Sequence, residues 1–193
     1  NTKIILIPNL IGNIANWEAI HKIAKKHNLI TIEDSADTIG YKLNGKNTGK
    51  LSDIVTNSLY ASHIVSGAGF GGIVCFNNKE HYLRAKILRG WGRSSALFNE
   101  NEGIKKRFNK KIHGIKYDGK YIFNEFGYNF LPSEISAAFA LEQIKKLKQN
   151  YSIRKRNFSY LYNFFLKYKF FFEVPILDKK VLTAWLAFPV LVK

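Results

Sequence analysis

The residues best suited to chemistry lie in two short segments of the 193-residue chain. The first reads IEDSADTIG and places Asp34 where a strand is predicted to end. A carboxylate there can hold a protonated ring nitrogen, a ribose or a metal, and composition does not choose among them. The second reads SLYASH and ends in His63, whose imidazole can accept and release protons near neutral pH. A single histidine is more often structural than catalytic.

Four glycines follow the second segment: Gly67, Gly69, Gly71 and Gly72. A dinucleotide-binding loop needs a strand, then glycines, then a helix, whereas these glycines lead into the apolar run 73–76. No Gly-Lys-Ser or Gly-Lys-Thr sequence follows them. The pattern therefore predicts a tight connection between two strands.

Cysteine and histidine usage argues against a metal site. The single cysteine, Cys75, excludes a disulfide scaffold, a four-cysteine zinc site and a protein-ligated iron–sulfur cluster within this chain. The five histidines do not stand at metal-ligand spacings with cysteine or carboxylate side chains. We therefore predict no metal ligands.

Hydrophobic patterning predicts the elements that position these groups. A buried strand at 3–8, a helix capped by Asn16 and Asn28, and a strand at 29–33 form a βαβ unit. Such a unit implies a parallel sheet, and α/β proteins bind ligands at the carboxyl ends of its strands, where Asp34 falls. The other predicted elements are strands at 54–60, 73–76 and 183–192, a loop at 41–53, and helices at 78–90, 132–148 and 151–167.

Composition limits the class of protein. A hydrophobic content of 46% and an aromatic content of 15% allow a packed core and exclude a disordered or collagen-like chain. The net charge of +16 suggests a polyanion, but lysine outnumbers arginine and no nucleic-acid motif is present, so nucleic acid is not the expected partner. An anionic small substrate fits equally well. No apolar run approaches the ~18 residues of a membrane span, so we expect a cytoplasmic protein without a membrane partner.

Four motifs, in this order along the chain, carry a family resemblance: Glu33–Asp37, Ser58–His63, Gly71–Gly72 and Phe126–Asn129. They resemble the DegT/StrS family of nucleotide-sugar enzymes, which has the aspartate aminotransferase fold and uses vitamin B6 cofactors. Three further stretches look like its CDP-4-keto-6-deoxyglucose 3-dehydrase branch: 88–93, 120–123 and the helix 132–148.

The resemblance implies the fold and its division into domains. We expect an α/β fold with a mixed, mostly parallel sheet flanked by helices, which is the large domain of pyridoxal-phosphate fold type I. Residues 1–145 would form part of that cofactor-binding domain, with its N-terminal third missing. Residues 146–193 would form linking helices and the start of a small α+β C-terminal domain. The absence of methionine and the start at Asn1 also suggest a piece of a longer protein.

The resemblance also implies five cofactor-binding residues. Asp34 matches the acid that keeps the pyridine nitrogen protonated, so that the ring acts as an electron sink. Ala36 matches the small residue against the ring face, and Asp37 stands near the ring hydroxyl, where many relatives have glutamine. Ser58 matches a donor to the cofactor phosphate. Asn129 matches a phosphate ligand contributed to the neighbouring subunit, which implies a homodimer with shared active sites.

His63 is the decisive position in this comparison. Aminotransferases of the family carry there the lysine that forms the Schiff base with pyridoxal phosphate, and this chain has no lysine between Lys50 and Lys79. The dehydrases of the family make the same replacement. The resemblance therefore implies pyridoxamine phosphate as cofactor and His63 as the base. It predicts removal of the C3 hydroxyl from a nucleotide-linked 4-keto-6-deoxyhexose, in deoxysugar biosynthesis.

One departure from the CDP-sugar branch bears on the cofactors. That branch has iron–sulfur cysteines just after the Trp-Gly-Arg segment, whereas residues 94–103 here contain no cysteine. We therefore expect no iron–sulfur cluster. GDP-sugar (colitose-type) dehydrases lack the cluster, also use histidine, and regain pyridoxamine phosphate from glutamate.

Two other functions stay open at the level of the sequence. Loss of the lysine would also mark a homologue that has lost catalysis and only binds cofactor or sugar nucleotide. The acid at Asp34, the hydroxyl at Ser58 and the amide at Asn129 argue against a decayed site. A polyanion-binding protein is the other alternative, suggested by the charge alone.

Overall fold

A computed structural model describes residues 1–97 and 103–193. The five residues between these ranges include part of the cysteine-free segment 94–103, so the prediction made on that segment lies partly outside the described residues. The helices are α1 Trp17–His27, α2 Lys79–Arg89, α3 Ile104–Arg107, α4 Glu134–Lys145 and α5 Leu147–Leu166. The strands are β1 Ile4–Pro8, β2 Ile30–Asp34, β3 Lys42–Leu43, β4 Lys46–Asn47, β5 Ile54–Ser58, β6 Gly72–Phe76, β7 Lys110–Ile112, β8 Ile115–Tyr117, β9 Phe172–Glu173, β10 Val181–Leu182 and β11 Leu191–Val192.

A mixed four-stranded sheet in the order β1-β2-β5-β6 organises the N-terminal part of the chain. β1, β2 and β5 run parallel, and β6 is antiparallel to β5. The connection from β5 to β6 contains the glycines, so the predicted strand-to-strand turn is confirmed. Gly69 and Gly71 adopt φ of 92° and 106°, a region that favours glycine. The mostly parallel α/β sheet expected from the sequence is therefore present.

Helix α1 forms for the reasons that its sequence indicates. The Asn16 side chain accepts a hydrogen bond from the Ala19 amide at 3.1 Å, and Asn28 ends the helix in the left-handed conformation with φ of 52°. One face carries Trp17 and Ala24, which are buried. The helix is thereby held against the sheet that it connects.

The chain divides into two compact units, and each is described by itself. Unit 1 comprises residues 1–77 and 133–193, and unit 2 comprises residues 78–132. The buried apolar core of unit 1 joins residues from α1, the 59–65 turn, α4 and the C-terminal segment: Ile14, Trp17, Tyr41, Leu43, Leu59, Ile64, Val65, Ala140 and Ala184. The domain boundary predicted near residue 145 stays a prediction.

Unit 2 contains α2, α3 and the β7–β8 hairpin. Asn78 caps α2 by accepting hydrogen bonds from the amides of Glu80 and His81 at 2.7 and 3.1 Å. The Arg107 guanidinium donates to Asp118, with an Nε–Oδ1 distance of 2.7 Å. That hydrogen bond, together with the nearby positive charge, lowers the pKa of Asp118 to about 2.

Three sequence predictions about elements are wrong in detail. The strand predicted at 183–192 is reduced to β11, because Trp185 has φ of 49° and the Leu186 amide donates to the Ile11 carbonyl at 2.9 Å. Strand β1 is only partly buried: Ile4 and Leu6, which lie on one face of this edge strand, are 49% and 60% exposed, whereas Ile7 on the other face packs against the core. The loop predicted at 41–53 contains the short β3–β4 hairpin.

A helix that spans a bilayer needs about 20 consecutive, mostly apolar residues. Across residues 1–97 and 103–193, none of the helices combines the length and the apolar character needed to cross a membrane.

Candidate functional site

The carboxyl ends of β2 and β5 gather most of the predicted site residues. Asp34 is the last residue of β2 and pairs in register with Thr56 of β5. Ser58 is the last residue of β5. Ala36 and Asp37 lie in the turn that follows β2. The prediction that Asp34 lies at this edge of the sheet is confirmed, since parallel strands end there together.

Asp34 is held with one carboxylate oxygen engaged. Its Oδ1 accepts hydrogen bonds from the Ala36 amide at 3.1 Å and from the Thr56 hydroxyl at 3.4 Å. Within the described part of the chain, Oδ2 accepts none. A fixed carboxylate with one free oxygen can accept a hydrogen bond from a protonated ring nitrogen and stabilise its charge.

His63 lies beside Asp37. The His63 Nε2 and Asp37 Oδ1 atoms are 3.8 Å apart, and the two side chains are 25% and 16% exposed. This separation permits an ion pair whenever the imidazole carries its second proton. The Tyr60 ring packs edge-on to the imidazole, with 6.1 Å between ring centroids.

The other imidazole nitrogen, His63 Nδ1, is buried and has no hydrogen-bond partner among the described residues. Buried polar atoms are nearly always paired in folded proteins. The structure thus holds the His63 ring through Nε2, beside Asp37, and not through Nδ1.

The loop after β1 orients Asp37 from its other side. The Ile11 amide donates to Asp37 Oδ2 at 2.9 Å. Ile11 adopts a left-handed φ of 59°, which is rare for a β-branched residue. Local sequence patterns do not predict this contact, because it joins residues 26 positions apart.

Ser58 ends β5, directly before the turn that leads to the glycines. Its Oγ accepts a hydrogen bond from the Tyr60 amide at 3.1 Å, which leaves the hydroxyl proton for an external acceptor such as a phosphate oxygen. The turn is tight: the Leu59 amide donates to the Gly71 carbonyl at 3.0 Å, and the Gly67 amide donates to the Leu59 carbonyl at 2.7 Å. Ser58 is therefore held on a well-defined backbone.

Asn129 belongs to unit 2 and is exposed there. Its backbone forms an isolated antiparallel bridge with Gly90, and neighbouring amides of Tyr128 and Phe130 donate to the carbonyls of Leu88 and Arg89 at 2.7 and 3.0 Å. The side chain is thus presented from an ordered backbone. Its predicted role toward a neighbouring subunit stays a prediction.

A buried polar network underlies this edge of the sheet and was not predicted from the sequence. Glu33 is fully buried and accepts hydrogen bonds from Asn9, Ser35 and Ser52. The available signal was the strand alternation, which turns Glu33 to the opposite face from Asp34. Among the described residues, no three His, Cys, Asp or Glu side chains group as a metal ion requires.

The chain belongs to the DegT/DnrJ/EryC1/StrS aminotransferase family, whose sequence profile matches residues 1–193. It is 32% identical over 195 residues to the lipopolysaccharide biosynthesis protein RfbH of Salmonella typhimurium, covering 100% of this chain and 44% of that protein. It is 30% identical over 194 residues to the GDP-4-keto-6-deoxy-D-mannose 3-dehydratase of Yersinia pseudotuberculosis, covering 100% of this chain and 47% of that protein. The chain thus spans less than half the length of these relatives.

Solved structures give the same fold. The Escherichia coli GDP-4-keto-6-deoxy-D-mannose-3-dehydratase with bound hydrated PLP is similar with a TM-score of 0.79 and 28% identity, covering 100% of this chain and 47% of that one. An aminotransferase from Psychrobacter cryohalolentis has a TM-score of 0.80 at 23% identity, covering 96% and 46%, and supports the fold alone. The family and the fold class predicted from the sequence are confirmed.

Proposed function

We propose that this chain is part of an enzyme that dehydrates a nucleotide-linked 4-keto-6-deoxyhexose at C3, with pyridoxamine phosphate as cofactor and His63 as the base. The observation that carries the proposal is an imidazole, paired with Asp37 at 3.8 Å, at the position where the resemblance puts the Schiff-base lysine. An imidazole cannot hold the cofactor covalently, but it can move a proton.

The residues at the edge of the sheet fit a B6 cofactor. The free Oδ2 of Asp34 would accept a hydrogen bond from the pyridine nitrogen, Ala36 would leave room for the ring face, and Ser58 would donate to the phosphate. Asn129 would bind phosphate in a neighbouring subunit, and we accordingly propose a homodimer. The cofactor, when bound, supplies an amine and an electron-withdrawing ring.

His63 would take a proton at one imidazole nitrogen from the carbon attached to the cofactor ring. The Asp37 carboxylate would stabilise the imidazolium that results. The protonated imidazole could then supply its proton to the departing C3 hydroxyl, so that water leaves. Both groups are only partly exposed, at 25% and 16%, which limits competing proton exchange with solvent.

The named relatives support a nucleotide sugar as substrate. Proteins named as GDP-4-keto-6-deoxymannose 3-dehydratases, from Yersinia pseudotuberculosis and Escherichia coli, match this chain over its whole length. A net charge of +16 would attract a diphosphate. Because residues 94–103 contain no cysteine, we propose the route without an iron–sulfur cluster, in a cytoplasmic enzyme of surface-glycan biosynthesis.

The proposal is tested with the full-length protein, pyridoxamine phosphate and GDP-4-keto-6-deoxymannose, with mass spectrometry of the sugar product. We expect the loss of one water from the sugar. His63→Asn should lower turnover by roughly a hundredfold or more, as expected for removal of a general base. His113→Asn, in the hairpin between β7 and β8, is the control and should retain full turnover.

Other products would contradict the proposal. A sugar that gains an amino group and keeps its C3 hydroxyl would indicate a transaminase, and cofactor binding without any turnover would indicate a non-catalytic homologue. His63→Lys provides an independent test: the new amine should form a borohydride-reducible bond with pyridoxal phosphate, detected as added protein mass. Failure to form it would place residue 63 away from the cofactor.

A further inference from the structure

Glu33 is a buried acidic side chain whose two carboxyl oxygens are held by hydrogen bonds rather than by a cation. The residue is 0% exposed, and among residues 1–97 and 103–193 it forms no ion pair. Its Oε1 accepts from Asn9 Nδ2 at 2.9 Å and from Ser35 Oγ at 2.6 Å, and its Oε2 accepts from Ser52 Oγ at 3.1 Å. A carboxylate is costly to bury, so such complete engagement indicates a specific role.

The three donors come from three separate segments of unit 1. Asn9 directly follows β1, Ser35 directly follows β2, and Ser52 precedes β5. Asn9 is 1% exposed, and Ser35 and Ser52 are each 3% exposed. Asn9 also donates to Ser35 Oγ at 3.2 Å, which closes the network on one side. Glu33 is therefore hydrogen-bonded to the residues that directly follow β1 and β2, where the loop 10–16 and the turn after β2 begin.

Asn9 extends the network to the loop 10–16. Its Oδ1 accepts hydrogen bonds from the Ala15 amide at 3.1 Å and from the indole of buried Trp17 at 2.9 Å. The loop is therefore fixed at both ends by one amide side chain. Within the loop, the Ile11 amide donates to Asp37 at 2.9 Å. A continuous path of hydrogen bonds and chain connectivity thus links Glu33 to the residue that faces His63.

We propose that Glu33 is a positioning residue that holds the loop 10–16 and the turn after β2 in register, so that Asp37 is presented to His63. Glu33 lies on the opposite face of β2 from Asp34 and would touch neither cofactor nor substrate. Its effect on a reaction rests on the proposed function, whereas its effect on the Ile11–Asp37 contact does not.

The experiment compares Glu33→Gln with Ser52→Ala in the full-length protein. Glutamine keeps the shape of the side chain and can donate its NH2 group to the Ser52 hydroxyl, but the amide oxygen that then faces Asn9 and Ser35 lacks the charge of a carboxylate. Ser52→Ala removes one hydrogen bond to the same carboxylate, on the side away from the loop. Both variants should lower the melting temperature, so they separate loss of stability from loss of positioning.

The main measurement is amide hydrogen exchange at Ile11, which needs no cofactor and no substrate. We expect exchange at Ile11 to accelerate about tenfold in Glu33→Gln and by less than about twofold in Ser52→Ala, since a neutral acceptor holds Asn9, and with it the loop 10–16, less strongly than a carboxylate does. Ser35→Ala, which removes the hydroxyl that Glu33 and Asn9 share, should act in the same direction if Glu33→Gln does not fold.

Kinetics supply the second measurement. Glu33→Gln should lower kcat with little change in KM, because the base is misplaced while the substrate contacts persist. Equal acceleration of Ile11 exchange in both variants, or none in Glu33→Gln and Ser35→Ala, would overturn the proposal. Absence of dehydration in the unaltered enzyme would refute the proposed function and leave the exchange result to decide the role of Glu33.

Discussion

Asp37 connects a backbone amide on one side with an imidazole on the other. Its Oδ2 accepts from Ile11, and its Oδ1 lies 3.8 Å from His63 Nε2. The first contact requires only an acceptor, whereas the second requires a negative charge to stabilise an imidazolium. The two roles can therefore be separated by substitution.

Asp37→Asn should retain the acceptor for Ile11 and remove the charge beside His63. We expect turnover of the full-length enzyme to fall by roughly tenfold with little change in KM, because general-base catalysis depends on stabilising the protonated base. The melting temperature should change little. Steady-state kinetics and thermal unfolding measure both effects, and Asp178→Asn, at an exposed turn, serves as the control. Unchanged turnover would show that the carboxylate does not assist His63.

The sequence could single out Asp34 and His63 as candidate site residues because their motifs are contiguous and lie at predicted strand ends. It did not identify Asn9, Ile11 or Glu33 as parts of the same site. Their contacts join residues 24 to 26 positions apart, and such pairs depend on the parallel register of β1 and β2. Local spacing contains no information about that register until the sheet is assembled.

At the scale of elements, local signals succeeded where one segment determines its own conformation. Helix α1 has a capping asparagine at each end, and β2 is a short β-branched run. The strand prediction for residues 183–192 is wrong because contacts with a distant segment determine their conformation. The Leu186 amide donates to the Ile11 carbonyl, and Trp185 turns the chain with φ of 49°. A strand pattern cannot predict such a tertiary override.

Unit 2 depends on a close approach of two backbone segments at glycines. Gly92 has φ of 75°, and a Cβ built there would lie 1.8 Å from the Glu125 carbonyl oxygen. A Cβ on Gly127 would lie 2.0 Å from the Gly92 amide nitrogen. Neither position can accept a side chain unless the backbone moves, so the loop 90–93 and the segment 123–129 require these glycines.

Gly92→Ala should destabilise unit 2 strongly, by about 3 kcal/mol or more, since overpacking against backbone adds to left-handed strain. Gly114→Ala is a matched control: its φ of 83° is also left-handed, but nothing lies within 4 Å of the added Cβ. It should cost only about 1–2 kcal/mol. Limited proteolysis within residues 78–132 and urea unfolding measure the difference. Equal losses in the two variants would show that the close approach does not limit stability.

At the scale of the whole molecule, net charge and buried groups respond differently to pH. The charge of +16 is spread over exposed lysines and arginines, so it affects solubility and attraction of anions more than the fold. Tyr41 differs, because it is 1% exposed and packs edge-on against Tyr151 with 5.5 Å between ring centroids. Burial raises the pKa of Tyr41 to about 12 and also raises the pKa of Tyr151.

These shifts predict a loss of stability in alkali. A folded-state pKa above the unfolded value of 10.0 means that the stabilisation by neutral Tyr41 is complete below pH 10 and is lost as the pH rises toward 12. The difference between a pKa of 10.0 in the unfolded state and about 12 in the folded state corresponds to about 2–3 kcal/mol of unfolding free energy. Tyr41→Phe cannot ionise, so its unfolding free energy should fall less over this range than that of the unaltered protein.

Urea unfolding at pH 8 and pH 11.5 measures how far the unfolding free energy of each protein falls over this pH range. Exposed lysines also titrate in this range, but they do so in both proteins and cancel in the comparison. Tyr160→Phe, at a position 74% exposed, should behave like the unaltered protein. Tyr41→Phe should still lose some unfolding free energy in alkali, because burial also raises the pKa of Tyr151, but this loss should be smaller. An equal fall in unfolding free energy for Tyr41→Phe and the unaltered protein would mean that the Tyr41 hydroxyl is solvated in the native state.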